Sequence, residues 1–238
     1  MAQVPVTSRL EPVAGAIDLR AYADEVAATG EWLAGRKAPA FADAGAVVAA
    51  MAPVGDGRVR SLPADEFLIV LSGRIGIETA RGGRIVETAR SAVLPSGLDF
   101  VWRAAAGTVA VVVSCPGAKG AGDSISIDEA APLEPSGPPL AELLVGPTPS
   151  CRNHTDFESA SGEFMCGTWD STPYHRRPMV YRHIELMHLL EGAVTFGTEE
   201  GESATFSKGD VFLARRGAKC SWRSDVHVKK VYAIHRPK

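Results

Sequence analysis

The chain has 238 residues, 45% hydrophobic and 22% charged, with 25 basic and 28 acidic side chains for a formal net charge of −3, which is room for one large domain or two of roughly 110 residues each. With 24 glycines, 16 prolines and 7% aromatic residues, the composition favours many short elements joined by turns and argues against a helical bundle or a coiled coil. So small a net charge gives no field that would concentrate the protein on phosphate backbones, so no nucleic-acid partner is expected.

The opening MAQVPVTSRLEPVAGAIDLR has no basic segment followed by an apolar run and a small-residue cleavage site. No stretch approaches the roughly 18 apolar residues that span a bilayer, so the expectation is a cytoplasmic chain with no membrane partner. Cys115, Cys151, Cys166 and Cys220 are far apart, with no CxxC pair and no zinc-finger spacing, and are expected to be thiols.

Taken in order, residues 1–40 read as a short N-terminal strap, helical or irregular. Leu19, Tyr22, Val26 and Trp32 fall at loosely helical spacing behind Asp18, a possible cap, and the strap is expected to lie against the unit that follows. That unit, residues 41–120, contains DEFLIVLSGRIGI (65–77), a turn at Arg81-Gly82-Gly83, and SAVLPSGLDFVW (91–102). Residues 121–149 concentrate Pro, Gly, Ser and acidic side chains and read as a linker. Residues 150–238 repeat the first unit: IELMHLLEGAVTF (184–196) matches the first block, pairing Glu66 with Glu185 and Gly73 with Gly192 at an offset of 119. DVFLARRGAKCSW (210–222) matches the second block at an offset of 120, pairing Gly97 with Gly217, Phe100 with Cys220 and Trp102 with Trp222. The short apolar runs are rich in Val, Ile, Leu and Phe, and Gly-containing turns separate them. They predict antiparallel hairpins, and an all-β chain made of two copies of one sandwich or barrel.

The combination Glu-x6-Gly, then FSKGDVFLARRGAKCSW ending at Trp222, then HVKKVYAI at 227–234 resembles the cupin superfamily, and within it the group that includes ureidoglycine aminohydrolase. The resemblance covers 160–235 well and 45–115 weakly. It implies a double-stranded β-helix, or jelly roll, in each half: two tandem cupin barrels, the first structural and the second holding the functional pocket. It also implies a homodimer paired through an edge sheet.

Many cupins hold a metal with H-x-H-x(3-4)-E-x6-G and a later His. Carried onto this chain, Glu185 matches the carboxylate, but the two His positions fall on Pro178 and Val180, or on Met179 and Tyr181, and the later His position falls on Cys220. A variant site is still conceivable, because alternation along a strand puts Tyr181, His183 and Glu185 on one face. The candidate ligands are His183, Glu185 and Cys220, for one divalent transition metal (Zn, Mn, Fe or Ni); the alternative is no cofactor and side chains bonded to one another. The first half keeps Glu66, has Ser61, Leu62 and Phe100 at the other ligand positions, and contains no histidine.

The expected catalytic set is Glu185 as base or ligand, His183 as its partner and Tyr181 as a hydrogen-bond donor. Arg182, Arg215, Cys220, Trp222 and Trp169 are the candidate substrate-binding residues, with the arginines as a carboxylate clamp and the indoles as pocket walls. His175 to Arg177, Arg216 and Lys219 add nearby cations. His154 with Asp156 forms a possible pair, His188 is expected to face away from Glu185 in a packing role, and His227 and His235 have no evident partner. The functional expectation is a small-molecule-binding bicupin acting on a small polar carboxylate- or ureido-type metabolite, and, if an enzyme, a hydrolase of the aminohydrolase kind. The competing readings are a non-catalytic binding protein with a degenerate metal site and a metal-free isomerase or epimerase.

Overall fold

The computed structural model describes residues 13–116 and 122–238. It forms two tandem jelly-roll barrels, each a large sheet facing a four-stranded one. In the first barrel the large sheet runs Ile125–Ser126, Ser91–Leu94, Asp65–Ser72, Val109–Cys115, Val47–Pro53 and Ala28–Thr29, with Phe41–Ala42 also paired to Val47–Pro53. Its small sheet runs Gly55–Val59, Phe100–Ala104, Arg74–Thr79 and Gly82–Glu87. In the second barrel the large sheet runs Ala16–Asp18, Val211–Ala214, Ile184–Glu191, Val228–His235, Phe164–Ser171, Cys151–Glu158 and Glu134–Ser136. The small sheet opposite it runs Tyr174–Val180, Lys219–Ser224, Ala193–Gly197 and Ser203–Ser207. Among the described residues no helix is long and apolar enough to cross a membrane.

The repeated strands read as unbroken apolar runs because they are buried on both faces. Along Asp65–Ser72, Phe67, Ile69 and Leu71 face the other barrel, while Leu68 and Val70 face their own interior. Along Ile184–Glu191, Ile184 and Leu186 face the first barrel, and Met187 and Leu189 face the second barrel's interior. The two large sheets thus lie back to back within one chain, and their shared layer is a core in its own right. The glycines of the two Glu-x6-Gly motifs do the same backbone work in both barrels. Gly73 and Gly192 have φ of 72° and 77°, and a Cβ on Gly192 would lie 2.1 Å from the His227 carbonyl oxygen.

Among the described residues of the strap, only Leu19–Ala23 is helical, capped by Asp18, whose carboxylate accepts from Arg20 N (2.9 Å) and Ala21 N (3.1 Å). The helix stops early because Glu25 turns to φ 58° and Trp32 is drawn into the first barrel. The strap serves both barrels rather than the first alone. Ala16–Asp18 extends the second barrel's large sheet, with Ala16 opposite Ala214, while Ala28–Thr29 joins the first barrel's sheet. The linker is divided in the same way: Ile125–Ser126 pairs with the first barrel and Glu134–Ser136 with the second.

His188 faces the inter-barrel layer, as its spacing from Glu185 predicts. It is 3% exposed and its Nδ1 has no partner. Burial, with Arg20 and Arg90 adding repulsion, lowers its pKa to about 4. A histidine buried neutral takes up its proton more readily once unfolded, so its contribution to stability is intact above the ordinary 6.5 and is lost as pH falls toward 4. The loss amounts to about 3 kcal/mol by pH 4. Chemical denaturation between pH 7 and pH 4 is expected to show this extra decline in the native chain and not in His188→Leu; equal slopes in the two would show that His188 is not held neutral.

Candidate functional site

The interior of the second barrel brings some of the predicted residues, His183, Tyr181, Trp169 and Trp222, around Glu185, which is 7% exposed. Glu185 sits opposite Ala214 and Ile234 in the large sheet. Its partner is Lys230, on the neighbouring strand four residues before Ile234. The lysine side chain extends past Met187 Sδ (3.3 Å) to place Nζ 2.7 Å from Glu185 Oε1. The ammonium also lies over two indole faces, 4.7 Å from the ring centre of Trp169 and 5.0 Å from that of Trp222, where ring quadrupoles favour a cation. Burial alone would raise the Glu185 pKa, but Lys230 and His183 outweigh it and hold the carboxyl at about 2.

His183 Nε2 is 3.5 Å from the other carboxylate oxygen, Oε2, and its side chain is 13% exposed. It stands at the edge of the cluster, with its ring 5.3 Å from that of Tyr181. Tyr181 is anchored by backbone bonds with Gly217 and Ala218 and accepts at its hydroxyl from Arg176 (3.3 Å). Burial pushes the Tyr181 phenol far up, so it keeps its proton and can donate. Tyr174 stacks on Trp222 (5.7 Å), and Trp169 meets Trp222 edge to face (6.0 Å), forming an aromatic wall on one side of the cluster.

Several expectations need correction. The trio His183, Glu185 and Cys220 does not assemble as a metal site: among the described residues no three His, Cys, Asp or Glu side chains converge for a cation. The physical reason is that an ammonium already stands against the carboxylate, and Cys220 is a buried thiol pushed up to about 11 by burial. The donors present therefore do not fit the metal that the resemblance implies. Glu185, at about 2, stays ionised near neutrality and is a poor proton acceptor. Arg182 is exposed and Arg215 half-buried, and the Arg215 Nε has no partner; neither joins the cluster. Arg216 instead ties the barrels together through Asp43 (2.6 Å) and His235 (3.1 Å). His154 lies 3.5 Å from Asp156, and His227 lies 3.1 Å from Asp170.

Lys230 and Arg176 are the site residues that sequence reasoning missed or left in the background. The signal for Lys230 was available: in HVKKVYAI two adjacent lysines occupy a strand buried on both faces, so alternation must turn one of them inward.

The first barrel has the same carboxylate with a different counter-charge. The residue in register with Lys230 is Ala110, which pairs with Val70 as Lys230 pairs with Leu189. The positive charge comes instead from the strap: Arg36 Nη2 reaches both oxygens of Glu66 at 2.7 and 2.9 Å. Trp32 Nε1 (3.1 Å) and Ser114 Oγ (2.9 Å) complete the cage around Glu66. The Trp32 ring fills the space beside Phe100, 5.2 Å away and edge to face, and lies 5.9 Å from Trp102. The first barrel is plugged by its own chain.

Among known proteins, the family model described as the EutQ-like cupin domain matches residues 158–232. The chain is similar to a protein of Pseudomonas syringae pv. tomato, described as of unknown function and belonging to the DUF861 family. The two are 30% identical with a TM-score of 0.80, over 84% of this chain and 86% of that one. It shares its fold with a cupin 2 conserved barrel domain protein of Leptotrichia buccalis (9% identity, TM-score 0.60, 99% of this chain and 100% of that one). It also shares it with a putative glyoxylate induced protein of Pseudomonas aeruginosa (12% identity, TM-score 0.51, 80% and 74%). No curated protein matches the chain.

Proposed function

The chain belongs to the DUF861 family of the cupin superfamily, and on that premise we propose that its second barrel binds a small polar metabolite without a metal, using Lys230 as the fixed positive charge. The observation that carries this reading is the Lys230–Glu185 pair: 2.7 Å apart, with side chains 7% and 9% exposed. The carboxylate that other cupins offer to a cation is here neutralised from within. A divalent ion added beside it would face a like charge, with His183 as the one imidazole nearby. What remains for a ligand is a set of donors, from Lys230, Arg176 and Tyr181, facing an aromatic wall.

A second reading, proton transfer without a cofactor, draws on His183. Its ring is partly exposed beside a carboxylate that stays ionised, and imidazole is the side chain suited to exchanging protons near neutrality. The aminohydrolase-type reaction would need the same group as base, since Glu185 is held too acidic for it. A homodimer paired through a sheet edge remains a proposal that sedimentation checks.

Thermal shift against a panel of small carboxylates, ureido compounds and amides, with and without chelator, tests the reading. We expect a ligand that raises the melting temperature of the native chain equally in both conditions and fails to do so in Lys230→Met. A stoichiometric transition metal in protein purified without a metal column, required for that shift, would overturn it. If His183 moves the proton, His183→Asn keeps the ligand shift and loses any turnover of that ligand; loss of the shift instead assigns His183 to binding.

A further inference from the structure

Arg176 lies on Tyr174–Val180, directly opposite Trp222, and residues opposite one another in a sheet point to the same face. The Trp222 ring is inside the barrel, so the guanidinium is inside as well. The pairing loses register between Arg176 and Met179, where Pro178 has no N–H to give. This bulge ends the regular ladder just past Arg176. The side chain then lies with its guanidinium carbon 5.5 Å from the Tyr181 ring centre.

Arg176 is 4% exposed, yet its partners are all neutral. Nη1 donates to the carbonyls of Arg177 (3.2 Å) and Cys220 (3.3 Å), and Nη2 donates to the Tyr181 hydroxyl (3.3 Å), all at the long end of the hydrogen-bond range. Among the described residues no carboxylate lies within 4.0 Å of it, whereas the other two cations that enter barrel interiors each have one: Lys230 has Glu185 and Arg36 has Glu66. A buried charge is costly unless it is paired. With Lys230 and Glu185 cancelling, the interior of the second barrel carries one formal positive charge in excess when His183 is neutral.

We infer that Arg176 is the carboxylate-binding residue of the second barrel and that the ligand is a small monocarboxylate rather than a neutral amide or ureido compound. A monoanion brings the enclosed charge to zero, and a planar carboxylate matches the guanidinium fork with two parallel bonds. The Tyr181 hydroxyl, which accepts from Arg176, has its own proton free to donate to the same anion. A neutral isostere would leave the guanidinium uncompensated. The role expected of Arg182 and Arg215 falls to Arg176 because it occupies an inward-facing position on its strand, opposite Trp222.

This inference rests on the reading of the second barrel as a ligand site, and one titration separates the two. The full-length native chain is titrated calorimetrically with acetate, propionate and glycolate, and with acetamide, propionamide and urea, alongside Arg176→Gln and Arg176→Lys. We expect at least one carboxylate to bind and its matched amide to bind roughly 30-fold more weakly or not at all. Arg176→Gln should lose carboxylate binding by a similar factor, with Arg176→Lys in between. Ligand-free Arg176→Gln should melt no lower than the native chain, because it removes an unpaired buried charge. If an amide or urea binds as tightly as its carboxylate, or Arg176→Gln binds the carboxylate unchanged, the inference is wrong and the ligand site stands. If no compound of either class binds the native chain, the inference and the site reading both fall. The carboxylate-to-amide ratio is measured on the native chain, so the test holds even if a variant does not fold.

Discussion

Arg36→Ala is expected to destabilise the chain by about 3–5 kcal/mol, although the residue belongs to the strap and not to either repeat. Its guanidinium is bonded to both oxygens of Glu66, whose side chain is 1% exposed. Truncation leaves that carboxylate buried with Trp32 and Ser114 as its remaining donors. Trp32→Ala should be comparably severe, about 3–5 kcal/mol, for a different reason. The indole is 2% exposed and packs against Phe100 and Trp102, so its loss opens a cavity that two rings fixed on strands cannot close. The mechanisms separate in a double mutant. Glu66→Gln should recover most of the loss in Arg36→Ala, because no charge is then stranded, and little of the loss in Trp32→Ala, because the void persists. Urea unfolding of the four variants measures this. A loss below about 1 kcal/mol in Arg36→Ala would show that the strap does not supply the counter-charge the geometry assigns to it.

That dependence marks the boundary of what could be read from the residues. The repeat was visible because its signals are local: a Glu and a Gly seven apart, with an apolar run between them, force the same strand and the same positive-φ turn at Gly73 and Gly192. Two tandem barrels follow from it. The continuous burial of DEFLIVLS and IELMHLLE also foreshadowed sheets covered on both faces, though not that each covers the other. What the sequence hid is who neutralises each glutamate. In the first barrel the answer lies 30 residues upstream, in a segment whose spacing suggested a longer helix than Leu19–Ala23. In the second it is a lysine whose charge argued for solvent. Alternation places Lys230 inward, but only a known register shows that it reaches Glu185. Motif matching looks for histidines at fixed spacings, and so it pointed to a metal and passed over the ammonium. The same bias favoured Arg182 and Arg215, which flank the motifs, over Arg176, which reaches the interior through its cross-strand position beside Trp222.

The larger of the expected effects at the candidate site comes from Lys230→Met, a change that keeps the side chain's length and removes its charge. Glu185 would then be buried with His183 as its nearest polar neighbour, and we expect about 3–5 kcal/mol of destabilisation near neutral pH. The pH dependence distinguishes this from a packing loss. In the native chain the Glu185 carboxyl sits at about 2 against an ordinary 4.5, so its contribution of about 3 kcal/mol is fully present above 4.5 and disappears as pH falls through 2. Without the ammonium, burial becomes the dominant influence and the carboxyl shifts above its ordinary value. The variant's penalty then fades as pH falls and the carboxyl is protonated in the folded state. Native and Lys230→Met curves of unfolding free energy should therefore converge from pH 7 toward pH 3. Lys230→Met with Glu185→Gln should lie closer to the native chain at pH 7 than Lys230→Met alone. A penalty that stays constant across that pH range would mean that the loss arises from contacts with Trp169, Trp222 and Met187, and that Lys230 is not the counter-ion on which the site depends.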